Sequence, residues 1–429
     1  MVRASGPAAG DLVRQIFREA PLPRIARHAD YRDGQAELVD DVLFTFFAAP
    51  YSFTGEDSLE ISCHGNPFIA QKILCDLFAR GCRPAEPGEF SKRAFLHGRM
   101  DLSQAEAVMD LIHARSERAL AAANQQLRGS LGRRMDELIT LLLRNLARIE
   151  AYLDFPDEDL PEEDRKLVVR ELGELHSATA QLLATNRYGT LLREGIRTVI
   201  LGEPNVGKST LLNQLLGRER ALVSPDPGTT RDFLEEPMIV GTHWLRLIDT
   251  AGLNRSPTAL ELRGMHKTLE QASTADLFLW VIDSTQPALD PPDGVRAGMT
   301  ADNTLVVINK VDLAPERRLK ILSPFPSVEI SALNGAGITV LQENIVEMAD
   351  RKQVHSGNEL IAINARHADS LARALSSLKD AADRISRDEP SELVASDLRQ
   401  TLESFGQIAG KVDNERMLDQ LFASFCIGK

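Results

Sequence analysis

The most informative octapeptide of this sequence is Gly202-Glu203-Pro204-Asn205-Val206-Gly207-Lys208-Ser209. It follows an apolar run over residues 198–201 and precedes another over residues 210–216. The spacing matches G-x-x-x-x-G-K-[ST], a loop whose backbone N–H groups hold phosphate oxygens at a helix N-terminus. Within such a loop Lys208 reaches the β- and γ-phosphates, and the Ser209 hydroxyl binds Mg²⁺. Taken alone, the octapeptide also fits a plain glycine-rich turn between a strand and a helix.

Three shorter motifs follow in order, each after an apolar, strand-like run. Asp249-Thr250-Ala251-Gly252 offers a carboxylate that can hold Mg²⁺ through water and an N–H that can sense a γ-phosphate. Asn309-Lys310-Val311-Asp312 offers a carboxylate that accepts the N1–H and N2–H of guanine, whereas adenine has neither donor. Ser331-Ala332-Leu333 offers a backbone N–H for the guanine O6. Together the motifs predict a guanine-nucleotide domain similar to the Ras-like GTPases of the translation-factor class.

A candidate switch loop lies between the first two motifs, over residues 224–232. Thr230 is the candidate to close over Mg²⁺ and the γ-phosphate, since order–disorder of such a segment is the usual switch. The predicted nucleotide contacts are Asn205, Val206, Gly207, Lys208, Ser209, Thr210, Ser224, Gly228, Thr229, Thr230, Asp249, Thr250, Ala251, Gly252, Asn309, Lys310, Asp312, Ser331 and Ala332.

Catalysis requires a residue other than the usual glutamine. Ras-type enzymes place a water-orienting glutamine just after D-x-x-G, but Leu253 stands there in this chain. Glu261 is the candidate to position the attacking water; the alternative is that it is a solvated acid on a helix. The sequence shows no obvious arginine finger. The amide oxygen of Asn205 suits K⁺, which can neutralise charge that develops at the β/γ bridge.

The composition is that of an ordinary globular chain. Of 429 residues, 43% are hydrophobic and 26% are charged, which argues against disorder. The longest apolar run, 277–282, is too short for a membrane span of roughly 20 residues, and no secretory signal is evident. Four scattered cysteines without a C-x-x-C pair exclude a disulfide scaffold and a four-cysteine zinc site. We therefore expect a cytoplasmic protein.

The charge balance limits how the chain can hold nucleic acid. Lysine and arginine total 49 and acidic residues 62, which gives a formal charge of −13. Bulk charge of this sign repels a polyanion, so nucleic-acid binding would need a local basic patch or a partner.

The pattern of predicted helices and strands changes along the chain. Residues 1–100 read as mixed α/β, and Ser103 with Glu106 forms an S-x-x-E capping box that predicts a helix start. Apolar residues at gaps of three or four over 131–153 predict one long amphipathic helix. Strand–helix alternation over 197–348 predicts a parallel sheet, and helical spacing returns after residue 358. We infer an α/β domain inserted into a helical domain.

Several segments outside the nucleotide motifs carry a closer resemblance. They are Ser52-Phe53-Thr54-Gly55-Glu56-Asp57, Cys63-His64-Gly65, the run PGEFSKRAFL over 87–96, DLSQAEA over 101–107, DFPDE over 154–158 and the terminal FCIGK over 425–429. With the nucleotide motifs, they resemble the MnmE (TrmE) family of tRNA-modification GTPases along essentially the whole chain.

The resemblance implies a three-part architecture. Residues 1–98 would form an N-terminal α/β domain for dimerisation and tetrahydrofolate binding. Residues 99–194 and 351–429 would form a discontinuous helical domain that ends in Cys-Ile-Gly-Lys. Residues 195–350 would be the inserted P-loop GTPase domain with a mostly parallel sheet.

The resemblance also implies a reaction. A homodimer working with the flavoprotein MnmG would add an aminomethyl-type group, commonly carboxymethylaminomethyl, to C5 of the wobble uridine of tRNA. A tetrahydrofolate derivative would supply the one-carbon unit, and GTP hydrolysis would depend on K⁺.

The family's functional positions map onto this sequence residue by residue. The implied sets are Asn205, Ser224, Asp226 and Thr229 for K⁺; Ser209 and Thr230 for Mg²⁺; Glu261, Lys208 and Cys426 for catalysis; and Arg3, Glu60, Arg99 and Lys429 for folate. For three of these residues an interpretation without a functional role stays open. Arg3 and Arg99 also fit ordinary solvated charges, and Cys426 also fits a small packed residue near the terminus.

Three departures from the family pattern bear on these assignments. Family members generally carry a further strand and a glycine-rich turn before the segment that begins at Arg3. Two interpretations stay open: a missing edge strand, which would weaken dimerisation and the folate site, and a misassigned start codon, which would look the same. Arg99 stands where lysine is usual, which keeps the charge but changes the geometry. The K⁺ loop reads Val-Ser-Pro-Asp over 223–226, and Pro225 restricts its backbone.

Two other functions remain open on the sequence. A ribosome-assembly GTPase of the Era or Der type would carry a KH-like RNA module or a second G domain, and this sequence shows neither. A nucleotide-sensing scaffold would bind GTP without turning it over, and the altered K⁺ loop is compatible with it. Multiple turnover of GTP would exclude the scaffold.

Overall fold

The structure is a computed structural model that describes residues 1–154, 162–217, 235–249, 272–287, 290–291, 293–314, 324–351 and 361–410. They divide into two compact units. The first takes its residues from 1–109, 126–179 and the chain from 369 onward, and the second from 110–125 and 180–368. The finer predicted division into residues 1–98, 99–194, 195–350 and 351–429 stays a prediction.

The helices and strands have the following bounds. The N-terminal part contains β1 (Val2–Ser5), α1 (Ala9–Phe17), β2 (Ala26–Arg32), β3 (Leu38–Phe47), β4 (Ser58–Ser62), α2 (Pro67–Ala79) and α3 (Glu89–Leu96). Helices follow as α4 (Leu102–His113), α5 (Glu117–Leu127), α6 (Ser130–Asp154), α7 (Glu162–Ala184) and α8 (Asn186–Glu194). Next are β5 (Ile196–Leu201), α9 (Lys208–Gly217), β6 (Glu235–Val240), β7 (His243–Asp249), β8 (Leu277–Asp283), α10 (Asp293–Arg296), β9 (Thr304–Asn309), β10 (Ser327–Glu329) and α11 (Ile338–Arg351). Then come α12 (Ala365–Ser386) and α13 (Ser391–Ala409).

The first unit opens with a four-stranded antiparallel sheet in the order β1-β4-β3-β2. Along β3 the buried residues Val42, Phe44 and Phe46 alternate with neighbours in the same strand that are more exposed. This period of two is expected for a strand in a sheet that is buried on one face only. Phe44 stacks on Phe17 of α1 with ring centroids 3.8 Å apart. The buried face of the sheet therefore packs against α1, which confirms the predicted mixed α/β character.

A buried polar cluster ties α2 to β2. The Asp76 carboxylate accepts hydrogen bonds from the Tyr31 hydroxyl, the Arg80 guanidinium and the Gly34 amide, each at 2.8 Å. Burial by itself raises the pKa of the Asp76 carboxyl, but these three donors outweigh it and hold that pKa below its usual value. Burial, with the carboxylate beside it, raises the pKa of Tyr31. The cluster is satisfied only while Asp76 is ionised.

Replacing Asp76 by alanine should lower the free energy of unfolding by about 3 kcal/mol, because the buried Tyr31 hydroxyl, the part-buried Arg80 guanidinium and the Gly34 amide all lose their acceptor. Urea unfolding of the variant and of the full chain at pH 7 measures the loss. Asp11→Ala is the matched control, since Asp11 pairs with Arg14 on the exposed surface and should change stability little.

The pH dependence of this difference has a definite sign. A carboxyl whose pKa is depressed in the fold stabilises it above the unfolded pKa, about 3.9 for aspartate, and loses that contribution as pH falls through the folded pKa. The stability gap between the unaltered chain and Asp76→Ala should therefore shrink below about pH 4. A gap that stays constant down to pH 2 would contradict the assigned role.

The helical part of the first unit is built on α6 and α13, which pack together. The predicted stripe is confirmed over 131–149, where α6 buries Leu131, Met135, Leu138, Ile139, Leu142, Asn145, Leu146 and Ile149; its last predicted member, Leu153, is half-buried. Arg399 of α13 also bonds Glu150 of α6 at 2.7 Å. Arg148 of α6 likewise pairs with Glu171 of α7 at 3.0 Å, so the long helix is fixed by its apolar face and by ion pairs to two other helices.

The predicted capping box of the preceding helix was assigned to the wrong pair. Asp101, not Ser103, caps α4: its carboxylate accepts the Gln104 N–H at 2.8 Å, and the Gln104 side chain accepts the Asp101 N–H at 2.9 Å. The pair D-x-x-Q lies two residues before the S-x-x-E pair, and both match the pattern. The helix start was therefore predicted correctly, but the capping residues were not.

The second unit is built around a six-stranded sheet in the order β10-β9-β8-β5-β7-β6. All neighbouring strands are parallel except β6, which runs antiparallel to β7. Every residue of β8 and β9 is buried, as expected for strands covered on both faces. The mostly parallel sheet confirms the predicted fold class. In a sheet of this kind, ligands bind at the carboxyl ends of the strands.

No helix in the described ranges is both long and apolar enough to span a bilayer. Three cysteines fall in these ranges, Cys63, Cys75 and Cys82, and all are free thiols.

Candidate functional site at the carboxyl edge of the parallel sheet

The predicted phosphate loop runs from the end of β5 to the start of α9. Gly202 has φ +152°, and a Cβ there would lie 2.4 Å from the Val281 carbonyl oxygen. Gly207 has φ +99°, and a Cβ there would lie 2.4 Å from Nδ2 of Asn309. Both positions require glycine, since their backbone conformation disfavours L side chains and the space is filled. The loop therefore packs directly against β8 and the end of β9.

Lys208 lies inside this loop. Its ammonium donates to the carbonyl oxygens of Gly202 at 3.1 Å and Glu203 at 2.8 Å, and the residue is 8% exposed. The next two side chains, Ser209 and Thr210, are exposed in the first turn of α9. A serine hydroxyl is the hard oxygen donor that Mg²⁺ prefers. The loop thus offers a cation, an oxygen ligand and a helix N-terminus to a nucleotide phosphate.

Asn309 joins the loop to the last nucleotide motif. The residue is buried; its Nδ2 donates to the Val206 carbonyl at 2.8 Å, and its Oδ1 accepts the Ala332 N–H at 2.9 Å. Ser331 beside it is fully buried, and its N–H donates to Ala336 at 3.0 Å. One amide side chain therefore holds together the predicted phosphate and guanine motifs, which are far apart in the sequence.

Lys310 makes a second connection to the loop. Its ammonium donates to the carbonyl oxygen of Asn205 at 2.8 Å and to Oδ2 of Asp283 at 2.7 Å. Burial raises the pKa of Asp283, but bonds from Lys310 and Thr285 outweigh it and lower that pKa. Sequence reasoning assigned no role to Asp283. The available signal was its position as the last residue of an apolar strand between two nucleotide motifs.

Asp312 lies on the exposed side of the same motif. Among the residues that the structure describes, no hydrogen bond or ion pair of its carboxylate is found. An exposed carboxylate in the turn after β9 can accept the two donors of a guanine base.

Asp249 ends β7 and is the register partner of Ile200 in β5. Its backbone therefore lies beside the strand that leads into the phosphate loop. Several predicted site residues lie outside the described part of the chain: Ser224, Asp226, Gly228, Thr229, Thr230, Thr250, Ala251, Gly252, Glu261, Cys426 and Lys429. Their roles stay predictions.

The described folate candidates lie in the N-terminal sheet and next to it. Arg3 of β1 faces Glu60 of β4 in register and donates to its carboxylate at 2.8 Å. The Arg3 guanidinium also lies 5.4 Å from the ring centre of Phe53 and 5.6 Å from that of Phe90. Arg99 is exposed, and its Cγ lies against the Gly55 turn. The predicted polar pair thus occurs beside two aromatic rings, which sequence reasoning did not assign.

Family models match nearly the whole chain. The model described as GTP-binding protein TrmE N-terminus matches residues 1–99, and that of the MnmE helical domain matches residues 102–426.

Similarity to individual proteins is also extensive. The tRNA modification GTPase MnmE of Opitutus terrae is 55% identical over 431 residues, covering 100% of this chain and 95% of that protein. The same protein of Akkermansia muciniphila is 44% identical, covering 100% and 95%, and that of Natranaerobius thermophilus is 41% identical, covering 100% and 96%. A solved structure of Aquifex aeolicus Era covers 42% of this chain and 66% of its own, with 26% identity and a TM-score of 0.28, too low to add to the assignment. The chain belongs to the MnmE family of tRNA modification GTPases.

Proposed function

We propose that this protein binds and hydrolyses GTP in a cycle that serves tRNA modification. The observation that carries the proposal is the Asn309 side chain, which links the phosphate loop at Val206 to the guanine motif at Ala332. Family membership supports the same conclusion, because relatives named tRNA modification GTPase MnmE match the chain over its full length.

The described residues divide the work of nucleotide binding among them. Lys208 would exchange its carbonyl contacts for phosphate oxygens, and Ser209 would hold Mg²⁺, which neutralises phosphate charge. Asp312 would accept the guanine N1–H and N2–H, and the backbone of the Ser331-Ala332-Leu333 motif would complete the base site. Asp249 and Thr230 are proposed to complete the Mg²⁺ site.

The proposed modification reaction uses residues outside the nucleotide motifs, near both termini of the chain. Together with a flavoprotein of the MnmG type, a homodimer would add a carboxymethylaminomethyl-type group to C5 of the wobble uridine. Tetrahydrofolate would supply the one-carbon unit. The Arg3–Glu60 pair, with the Phe53 and Phe90 rings beside the Arg3 guanidinium, suits a flat heterocycle with an amidine face. Arg99 and Lys429 are proposed as further folate contacts, and Cys426 as a residue of the tRNA reaction.

Potassium is proposed as the activator of hydrolysis. Asn205 is exposed in the phosphate loop with φ +64°, so its amide oxygen is available to a monovalent cation. Ser224, Asp226 and Thr229 would supply the remaining ligands. A cation there would stabilise the charge that develops as the β/γ bond breaks, the task of an arginine finger in other GTPases.

The direct test is multiple-turnover GTP hydrolysis by the full chain in KCl and in NaCl at equal ionic strength. We expect hydrolysis to be at least tenfold faster in KCl. Equal rates would refute the potassium role, and hydrolysis absent in both salts would favour the scaffold that binds GTP without turnover. A second assay, with tRNA, folate and the flavoprotein present, should yield modified uridine only when GTP is supplied.

Glu261→Ala should lower kcat by about 100-fold while GTP affinity changes little, because orienting the attacking water matters only in the transition state. Glu261→Gln serves as the conservative companion, since it can still orient a water but accepts hydrogen bonds more weakly. Single-turnover hydrolysis and equilibrium binding of a non-hydrolysable GTP analogue separate the two effects. An equal loss in binding would show that Glu261 is structural.

A further inference from the structure

Asp283 is a nearly buried carboxylate beside the phosphate loop. It ends β8, and its side chain is 5% exposed. Oδ2 accepts the Lys310 ammonium at 2.7 Å, and Oδ1 accepts the N–H of Thr285 at 2.9 Å and its hydroxyl at 2.7 Å. Both oxygens are thus engaged, and the carboxylate is held in one orientation.

The turn after Asp283 also makes hydrogen bonds to the backbone around Lys310. The Ser284 hydroxyl donates to the Lys310 carbonyl at 2.8 Å, and the Ser284 N–H donates to the Asn309 carbonyl at 2.9 Å. Lys310 itself has φ +66°, a left-handed conformation that non-glycine residues seldom adopt. Residues 283–285 therefore fix both the backbone and the ammonium of Lys310.

The fixed ammonium acts on the phosphate loop. Its other bond is to the carbonyl oxygen of Asn205, which also has a left-handed backbone, φ +64°. Without Asp283 the Lys310 side chain would be free to adopt other rotamers, because a lysine side chain has four rotatable bonds and loses conformational entropy when its ammonium is held in one place. Asp283 thus removes a cost that nucleotide binding would otherwise meet.

We propose that Asp283 is a positioning residue for guanine-nucleotide binding, which acts through Lys310 to keep the phosphate loop and the guanine motif in their binding geometry. The proposal rests on the GTP site proposed above. It predicts that Asp283 matters for nucleotide affinity only while Lys310 is present. If the ion pair served only the fold, its removal would lower the free energy of unfolding, and the effect of Asp283 on nucleotide affinity would not depend on Lys310.

The test is a double-mutant cycle in the full chain with Asp283→Asn, Lys310→Met and the double variant. Calorimetric titration gives the Kd for GDP. Asp283→Asn should weaken GDP binding about 10- to 100-fold, the range expected when a charge-assisted hydrogen bond is lost. Added to Lys310→Met, the same change should weaken it no further. Asp302→Asn is the control, since it makes the same chemical change on an exposed turn residue.

Hydrolysis supplies a readout that a purely structural role would not move. Asp283→Asn should raise KM for GTP about as much as Kd for GDP and leave kcat within about threefold, since ground state and transition state lose the same interaction. Thr285→Val, which removes one donor to Asp283 but keeps the ion pair, should show a smaller rise in KM of the same kind. It also covers the case in which Asp283→Asn fails to fold.

The outcomes are distinguishable. Equal weakening by Asp283→Asn with and without Lys310 would overturn the proposal, as would an unchanged GDP affinity with lowered thermal stability. If the unaltered chain binds ADP as tightly as GDP, the GTP site itself is wrong. If it discriminates and the cycle shows no coupling, only the role of Asp283 fails.

Discussion

Asn309→Ala should abolish most nucleotide binding, with a loss of at least 100-fold in GDP affinity. The side chain makes two buried hydrogen bonds, to Val206 and Ala332, and alanine leaves both backbone groups without a partner. Each unpaired buried group costs about 1–3 kcal/mol, so the free energy of unfolding should also fall by about 3 kcal/mol. The affinity loss follows because the phosphate loop and the guanine motif lose their shared tether.

Asn344→Ala is the matched control for this prediction. Asn344 is half-buried on α11, and its amide donates an exposed hydrogen bond to the Val340 carbonyl of the same helix at 2.8 Å. The two variants lose the same atoms, but only Asn309→Ala disconnects two motifs. Calorimetry with GDP and chemical unfolding of the nucleotide-free chain report the two effects. Near-normal GDP affinity in Asn309→Ala would show that nucleotide binding rebuilds the site without the tether.

The candidate nucleotide site at the carboxyl edge of the parallel sheet could be predicted because each of its motifs is a continuous stretch of sequence. Each motif occupies a few consecutive residues directly after an apolar strand, and parallel strands bring their carboxyl ends to one edge. The apolar stripe of α6 was predictable for a similar reason, since helical periodicity is a local property. The resemblance to a known family added the architecture that surrounds these motifs.

The long-range pairs could not be predicted in the same way. Asp283 meets Lys310 because β8 and β9 are neighbours in the sheet, and strand order is not written in either motif. Arg3 meets Glu60 because β1 pairs with β4 rather than with β2. The cap of α4 at Asp101 was missed for another reason: two overlapping patterns competed, and sequence alone does not rank them. Which residues pair with each other could therefore be read only from the folded structure.

Asp312→Asn should reverse the base preference of the site from guanine to xanthine. In the unaltered chain the carboxylate is proposed to accept N1–H and N2–H of guanine. Xanthine carries an oxygen in place of the 2-amino group, so an asparagine that donates to this oxygen and accepts N1–H restores both bonds. The guanine 2-amino group then faces the asparagine amide, so that two hydrogen-bond donors oppose each other. A polar mismatch of this kind can lower the affinity for a ligand by as much as about 10⁴-fold.

Competition between GDP and XDP for the same chain measures this reversal directly. We expect the unaltered chain to bind GDP at least 100-fold more tightly than XDP, and Asp312→Asn to bind XDP at least tenfold more tightly than GDP. Asp302→Asn again provides the charge control, because it removes one negative charge from an exposed turn and should leave the preference unchanged.

Hydrolysis of XTP by Asp312→Asn at a kcat near that of GTP in the unaltered chain would show that base recognition and phosphate chemistry are separable. Such separation is expected, since Asp312 would contact the base, whereas Lys208 and Ser209 lie in the phosphate loop and the first turn of α9. Unchanged selectivity for guanine would refute the assignment of Asp312 and require another acceptor at the base.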